Sequence, residues 1–137
     1  MTTNPVPTEL NWVEVQANCV LPKALAKLQY GVQKDVEARV AIITEQQRKN
    51  ALGFSCEVLG PDSFEVHRSG AGLVSKVTFV LGETGIVVKD VMGIEILTAS
   101  VSVKDDGRCV LAVGDAQLEY WQVRRRALDK LFFDLRA

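Results

Sequence analysis

From Leu25 to Ile43 the apolar residues fall at Leu25, Leu28, Val32, Val36, Val40 and Ile43. Intervals of three and four are the helical period. Pro22 suits a first turn, where its missing N–H has no helical partner, and Gly53 follows the polar end Gln46 to Asn50 as a stop. The spacing predicts a long amphipathic helix of about 25 residues, interrupted by no breaker except Gly31.

After Gly53 the period shifts to two. Phe54, Cys56 and Val58 alternate with Ser55 and Glu57, and Phe64 and Val66 alternate with Glu65 and His67 beyond a Gly60-Pro61-Asp62-Ser63 turn. A second pair, Leu73 to Leu81 and Ile86 to Asp90, flanks Gly82-Glu83-Thr84-Gly85. A third, Ile94 to Val103 and Arg108 to Gly114, flanks Lys104-Asp105-Asp106-Gly107, which fits a type I turn closed by a left-handed glycine. Strands joined by such short turns need no crossover helices and pair antiparallel.

From Ala116 the helical period returns, with Asp115 as a reasonable N-cap and Leu118, Trp121, Leu128, Phe132 and Leu135 on one arc. Residues 10–21 fit both templates. Val13, Val15, Ala17, Cys19 and Leu21 alternate as in a strand, whereas Leu10, Val13, Ala17 and Val20 fit a short helix capped by Thr8, the reading adopted here. The expected fold is α+β: an antiparallel meander sheet of about six strands in three hairpins, with a long N-terminal helix and a C-terminal helix packed on one face. Residues 1–8 read as a flexible N-terminal tail and 9–137 as one domain.

Composition adds mainly exclusions. The 137 residues carry 16 Lys plus Arg against 17 Asp plus Glu, a net of −1, so no global charge draws the chain to nucleic acid or an anionic membrane. No apolar run approaches the ~20 residues of a membrane span, and the first residues have no signal-like apolar core. Cys19, Cys56 and Cys109 are odd in number, widely spaced and set among apolar residues. They read as buried free thiols, which points to a cytoplasmic protein.

The chain holds no phosphate-binding loop, no Gly-x-Ser-x-Gly, no His-Glu-x-x-His and no Cys-x-x-Cys, so no cofactor and no metal is expected. Gly70-Ala71-Gly72 lacks the third glycine of a dinucleotide fingerprint and reads as a turn. His67 is the single imidazole. With Glu65 two residues before it on the same strand face, it is the weak catalytic candidate, an acid/base pair. A solvated Glu-x-His on the polar side of a strand explains the pair as well.

Charge is unevenly spread. Over residues 82–119 seven carboxylates face three cations, a net of −4, with Asp105 and Asp106 explained by their turn. Over residues 121–137 Arg124, Arg125, Arg126, Lys130 and Arg136 face Asp129 and Asp134, a net of +3. The three consecutive arginines spread over about 200° of a helix, so they form no flat phosphate-binding face, which argues against nucleic-acid binding. Arg124 falls inside the apolar arc near Trp121, where it needs a carboxylate, an aromatic face or a bound anion.

Val80, Val87, Val110 and Ala112 make the outer sheet face partly apolar, and a second copy of the sheet is the usual cover for such a face. The sequence therefore points to a small binding module, homodimeric through the outer sheet face or bound to another protein, without catalysis. The alternative is a small-molecule binder with a cavity between the sheet and the C-terminal helix, Arg124 and Trp121 holding an anionic or apolar ligand.

Overall fold

The structure is a computed structural model that describes residues 9–70 and 75–135. Three helices precede the sheet: α1 (Trp12–Asn18), α2 (Leu21–Ala41) and α3 (Glu45–Lys49). Asn11 caps α1 by accepting from the Glu14 N–H at 3.2 Å, so residues 10–21 hold a helix and not a strand. Thr8, the expected cap, lies outside the described residues. The long helix is shorter than its spacing predicts. The β-branched pair Ile42-Ile43 leads into Thr44, whose hydroxyl accepts from the Gln47 N–H while the Gln47 side chain accepts from the Thr44 N–H. That reciprocal capping box starts α3 as a separate turn of helix. Gly53, expected as a helix stop, instead opens the first strand.

Seven strands follow in sequence order, each antiparallel to the next: β1 (Gly53–Gly60), β2 (Ser63–Ser69), β3 (Ser75–Leu81), β4 (Ile86–Lys89), β5 (Glu95–Val103), β6 (Cys109–Val113) and β7 (Ala116–Leu118). The three expected hairpins are present, and Gly107 closes the third with φ +86°. The stretch Leu73–Val74 of the expected third strand and Ala71-Gly72 of the glycine turn fall outside the described residues. The seventh strand is a correction. Gly114, at φ +58°, turns the chain so that Ala116 pairs with Val113 and Leu118 with Leu111. Asp115 therefore sits in a turn, and α4 (Tyr120–Phe133) begins four residues later than expected, capped by Glu119 with Gln122 in a second capping box.

Helices α2 and α4 lie together on one face of the sheet. Phe64, Phe79, Ile86, Val88, Ala99 and Leu111 of that face, with Leu28, Val32, Val123 and Leu128 of the helices, are essentially without solvent exposure. Phe64 and Phe79 stack with centroids 4.5 Å apart. Each of these side chains larger than Ala99 contributes about 1.5–3 kcal/mol through burial, enough to hold both helices on the sheet. No helix among the described residues is long and apolar enough to cross a membrane.

Two buried arginines from outside α4 close its C-terminal end. Arg39 of α2 donates from Nε to the Phe132 carbonyl at 2.9 Å, and Arg68 of β2 donates from Nη1 to the Leu131 and Asp134 carbonyls at 2.8 and 2.7 Å. The last turn of a helix leaves carbonyls unpaired and carries partial negative charge. Guanidinium groups answer both needs.

The cysteine reading is also corrected. Cys19, at the α1–α2 junction, and Cys109, opening β6, form a disulfide with Cα atoms 5.6 Å apart. Their 90-residue separation left no local sign of the pairing. Cys56 stays free and half-buried, its thiol pushed up by burial. The free thiols that supported the cytoplasmic expectation, beside the lack of a signal-like or membrane-spanning segment, are thereby reduced to Cys56.

Candidate functional site

The outer face of the sheet, away from the helices, carries the polar constellation. Alternation on β2 sends Phe64, Val66 and Arg68 inward and Glu65 and His67 outward. Register does the rest: Glu57 of β1 lies opposite Glu65, Thr78 of β3 lies opposite Glu65 on the other side, and Lys76 lies opposite His67. The bulge between Val58 and Gly60 sets this alignment. Without it, the tight Pro61-Asp62 turn would place Glu57 opposite inward-facing Val66.

His67 Nε2 lies 2.9 Å from Glu65 Oε1 and 3.5 Å from Glu57 Oε2. The second oxygen of Glu65 accepts from the Thr78 hydroxyl at 3.3 Å and faces Lys76 Nζ at 3.5 Å. Glu65 is only 8% exposed although it stands on the outer face, because these neighbours cover it. Nε2 itself is buried and makes no hydrogen bond, so the close carboxylate oxygen is not aligned with the ring N–H direction. The expected Glu65/His67 pair is thus real as a contact, with Glu57, Lys76 and Thr78 added to it. No concave site surrounds it among the described pockets, whose walls include Lys76 but none of Glu57, Glu65 or His67.

Arg124 and Trp121, the expected ligand pair, stand between the helices and not between sheet and helix. Arg124 donates from Nε to Asp35 Oδ2 at 2.7 Å, so its carboxylate comes from α2 of the same chain. Trp121 is 54% exposed and lines a groove of about 440 Å³ between α2 and α4, together with Ile42, Arg125, Leu128 and Phe133. Arg125 and Arg126 are exposed while Arg124 turns into its ion pair, so the three arginines share no face.

A second cleft, of about 400 Å³, opens where α4 meets β3 and the β4–β5 hairpin. Arg68, Asp90, Ile96, Arg126, Lys130 and Asp134 are among its walls. Arg68 is 8% exposed, and its Nε is buried without a hydrogen-bond partner.

Comparison of the chain with protein-family models, with curated proteins and with solved structures finds no match. Function must be argued from these surfaces.

Proposed function

We propose that the protein is a binding module that acts by contact and that its partner is a second copy of the same chain. The observation that carries this is a pair of complementary surfaces. The large exposed apolar side chains avoid the outer sheet face, where Val80, Val87 and Ala112 are half-buried among Thr98, Ser100 and Ser102 and Val110 is fully buried. Two groups of them face each other in character, Val91, Met92 and Ile94 at the β4–β5 turn and Ile42, Trp121 and Phe133 around the α2–α4 groove, while others, such as Leu10, Trp12 and Val13 at α1, stand elsewhere.

The turn is a fixed knob. Asp90 Oδ1 accepts from the Met92 and Ile94 N–H groups at 2.9 and 3.0 Å, and Gly93 takes φ +77°. Met92 is 78% exposed and Ile94 63%, with Asp90 and Glu95 at the base. The groove offers aromatic walls and the exposed cation Arg125 at its rim. An exposed apolar knob fits an aromatic groove whose lining carries Arg125 and Asp129, opposite in sign to Glu95 and Lys89 at the base of the knob, and a two-fold axis makes the contact twice.

Light scattering tests this. At about 100 μM a contact worth about 5.5 kcal/mol puts half of the wild-type chains in dimers, so the mean mass should stand well above the monomer's. Met92→Asp and Trp121→Ser, both at exposed positions, should each return it to monomer. A wild-type monomer at that concentration, or dimers in both variants, would overturn the proposal.

The buried, unpartnered Arg68 Nε favours a second reading, a small anion in the cleft beside Arg126 and Lys130. Titration with inorganic phosphate should shift the Arg68 Nε–Hε resonance, and an unmoved resonance removes this reading.

A further inference from the structure

We propose that Glu57, Glu65 and His67 form a site for a divalent first-row transition ion on the outer face of the sheet. It stands apart from the self-association surfaces, and either can fail without the other.

The three donor atoms, His67 Nε2 and one carboxylate oxygen each from Glu57 and Glu65, all lie within 4.8 Å of one another. Ions bound at about 2.1 Å set their ligand atoms about 3.0 Å apart at an octahedral edge and about 3.4 Å at a tetrahedral one. The 2.9 and 3.5 Å separations from Nε2 lie near such edges, close enough for one ion to meet both carboxylates and the ring after small side-chain adjustment. The backbone positions of all three residues are fixed before any ion arrives, because β2 is paired on both sides and the β1 bulge holds Glu57 in register.

Nε2 is buried beside both carboxylate oxygens and makes no hydrogen bond with either, so an unsatisfied nitrogen stands between two anionic oxygens, where a cation would engage all three. Thr78 and Lys76 engage the other oxygen of Glu65 and leave the near one to His67.

One imidazole with two carboxylates suits Zn²⁺, Co²⁺, Mn²⁺ or Fe²⁺ better than Mg²⁺ or Ca²⁺, which prefer oxygen alone. Three protein ligands leave further positions for water, and exposed Glu57, at 64%, gives the ion its way in. Lys76, a cation 3.5 Å from Glu65, opposes a second cation and holds the affinity down.

The test is calorimetric titration of the chelator-treated full chain with Zn²⁺, and with Co²⁺ read by its visible absorption. One ion per chain is expected in the micromolar range. His67→Ala and Glu57→Gln should each weaken binding at least about tenfold. Cys56→Ser should leave it unchanged, and Lys76→Met should tighten it several-fold, a sign that a purely structural ion cluster would not give. Glu57→Gln alters an exposed side chain and keeps the test open if the histidine variant fails to fold. Absence of Zn²⁺ and Co²⁺ binding, retained affinity in both ligand variants, or loss of binding with Cys56→Ser would overturn the proposal.

Discussion

Arg124 lies directly against Gly31: a Cβ added to that glycine would stand 2.5 Å from Arg124 Nη1. The missing side chain in the middle of α2 is therefore the space that the guanidinium fills while Nε reaches Asp35 one turn on. Gly31→Ala gains about 1 kcal/mol of helix propensity and must displace a flexible side-chain end that is 19% exposed. The two effects oppose each other, so net stability should change by less than about 1 kcal/mol. The ion pair is where the substitution shows. A double-mutant cycle on Asp35→Asn and Arg124→Met should give a coupling of about 0.5–1 kcal/mol in the wild type and none in the Gly31→Ala background.

Arg68 carries a larger share of stability than any exposed arginine. Arg68→Met deletes two charge-assisted hydrogen bonds, to the carbonyls of Leu131 in α4 and of Asp134 just beyond it, a loss of about 2–3 kcal/mol. Arg126→Met, at an exposed site on α4, should stay within about 0.5 kcal/mol. Urea unfolding of the two variants checks the contrast.

The Cys19–Cys109 bond closes most of the chain into one loop and ties the α1–α2 junction to β6. Cys109→Ser, or full reduction, should lower stability by about 2–5 kcal/mol. Hydrogen exchange in α1 should rise first, because that helix buries none of its own side chains. Equal unfolding midpoints with and without reductant would contradict this.

Alkaline pH should weaken the fold. Burial pushes both the Cys56 thiol and the Tyr120 phenol up, so each holds its proton in the folded state past the pH at which the unfolded chain releases it. A raised folded value adds nothing while both states are protonated and costs stability above the unfolded value, so the decline begins near the ordinary thiol range, about pH 8.5. Denaturant midpoints from pH 7 to 11 should fall, and Cys56→Ser with Tyr120→Phe should flatten the upper part of the curve.

The hydrophobic pattern carried the architecture because periods of two and three to four are local properties. It could not locate the seventh strand: Ala116 to Leu118 fits a helix as well as a strand, and only pairing with β6 decides. The site was legible in half. Glu65 and His67 announce themselves by alternation on one strand, but Glu57 joins them through a bulge that residue spacing does not reveal. The place of Arg124 in the apolar arc of α4 shows that it needs a partner, but Asp35 lies 89 residues earlier, a separation across which no periodicity speaks. Arg39 escaped notice for a related reason. Its place in α2 looks polar until the end of α4 and the rings of Phe54 and Phe133 close around it.

Self-association of knob into groove can be read by disulfide trapping between two differently tagged copies in a Cys56→Ser background. One copy carries Met92→Cys and the other Arg125→Cys. A covalent dimer joining the two tags is expected, and none when Val80→Cys on the outer sheet face replaces Met92→Cys. Cross-links formed only between Val80→Cys copies, or no cross-link at all, would contradict it.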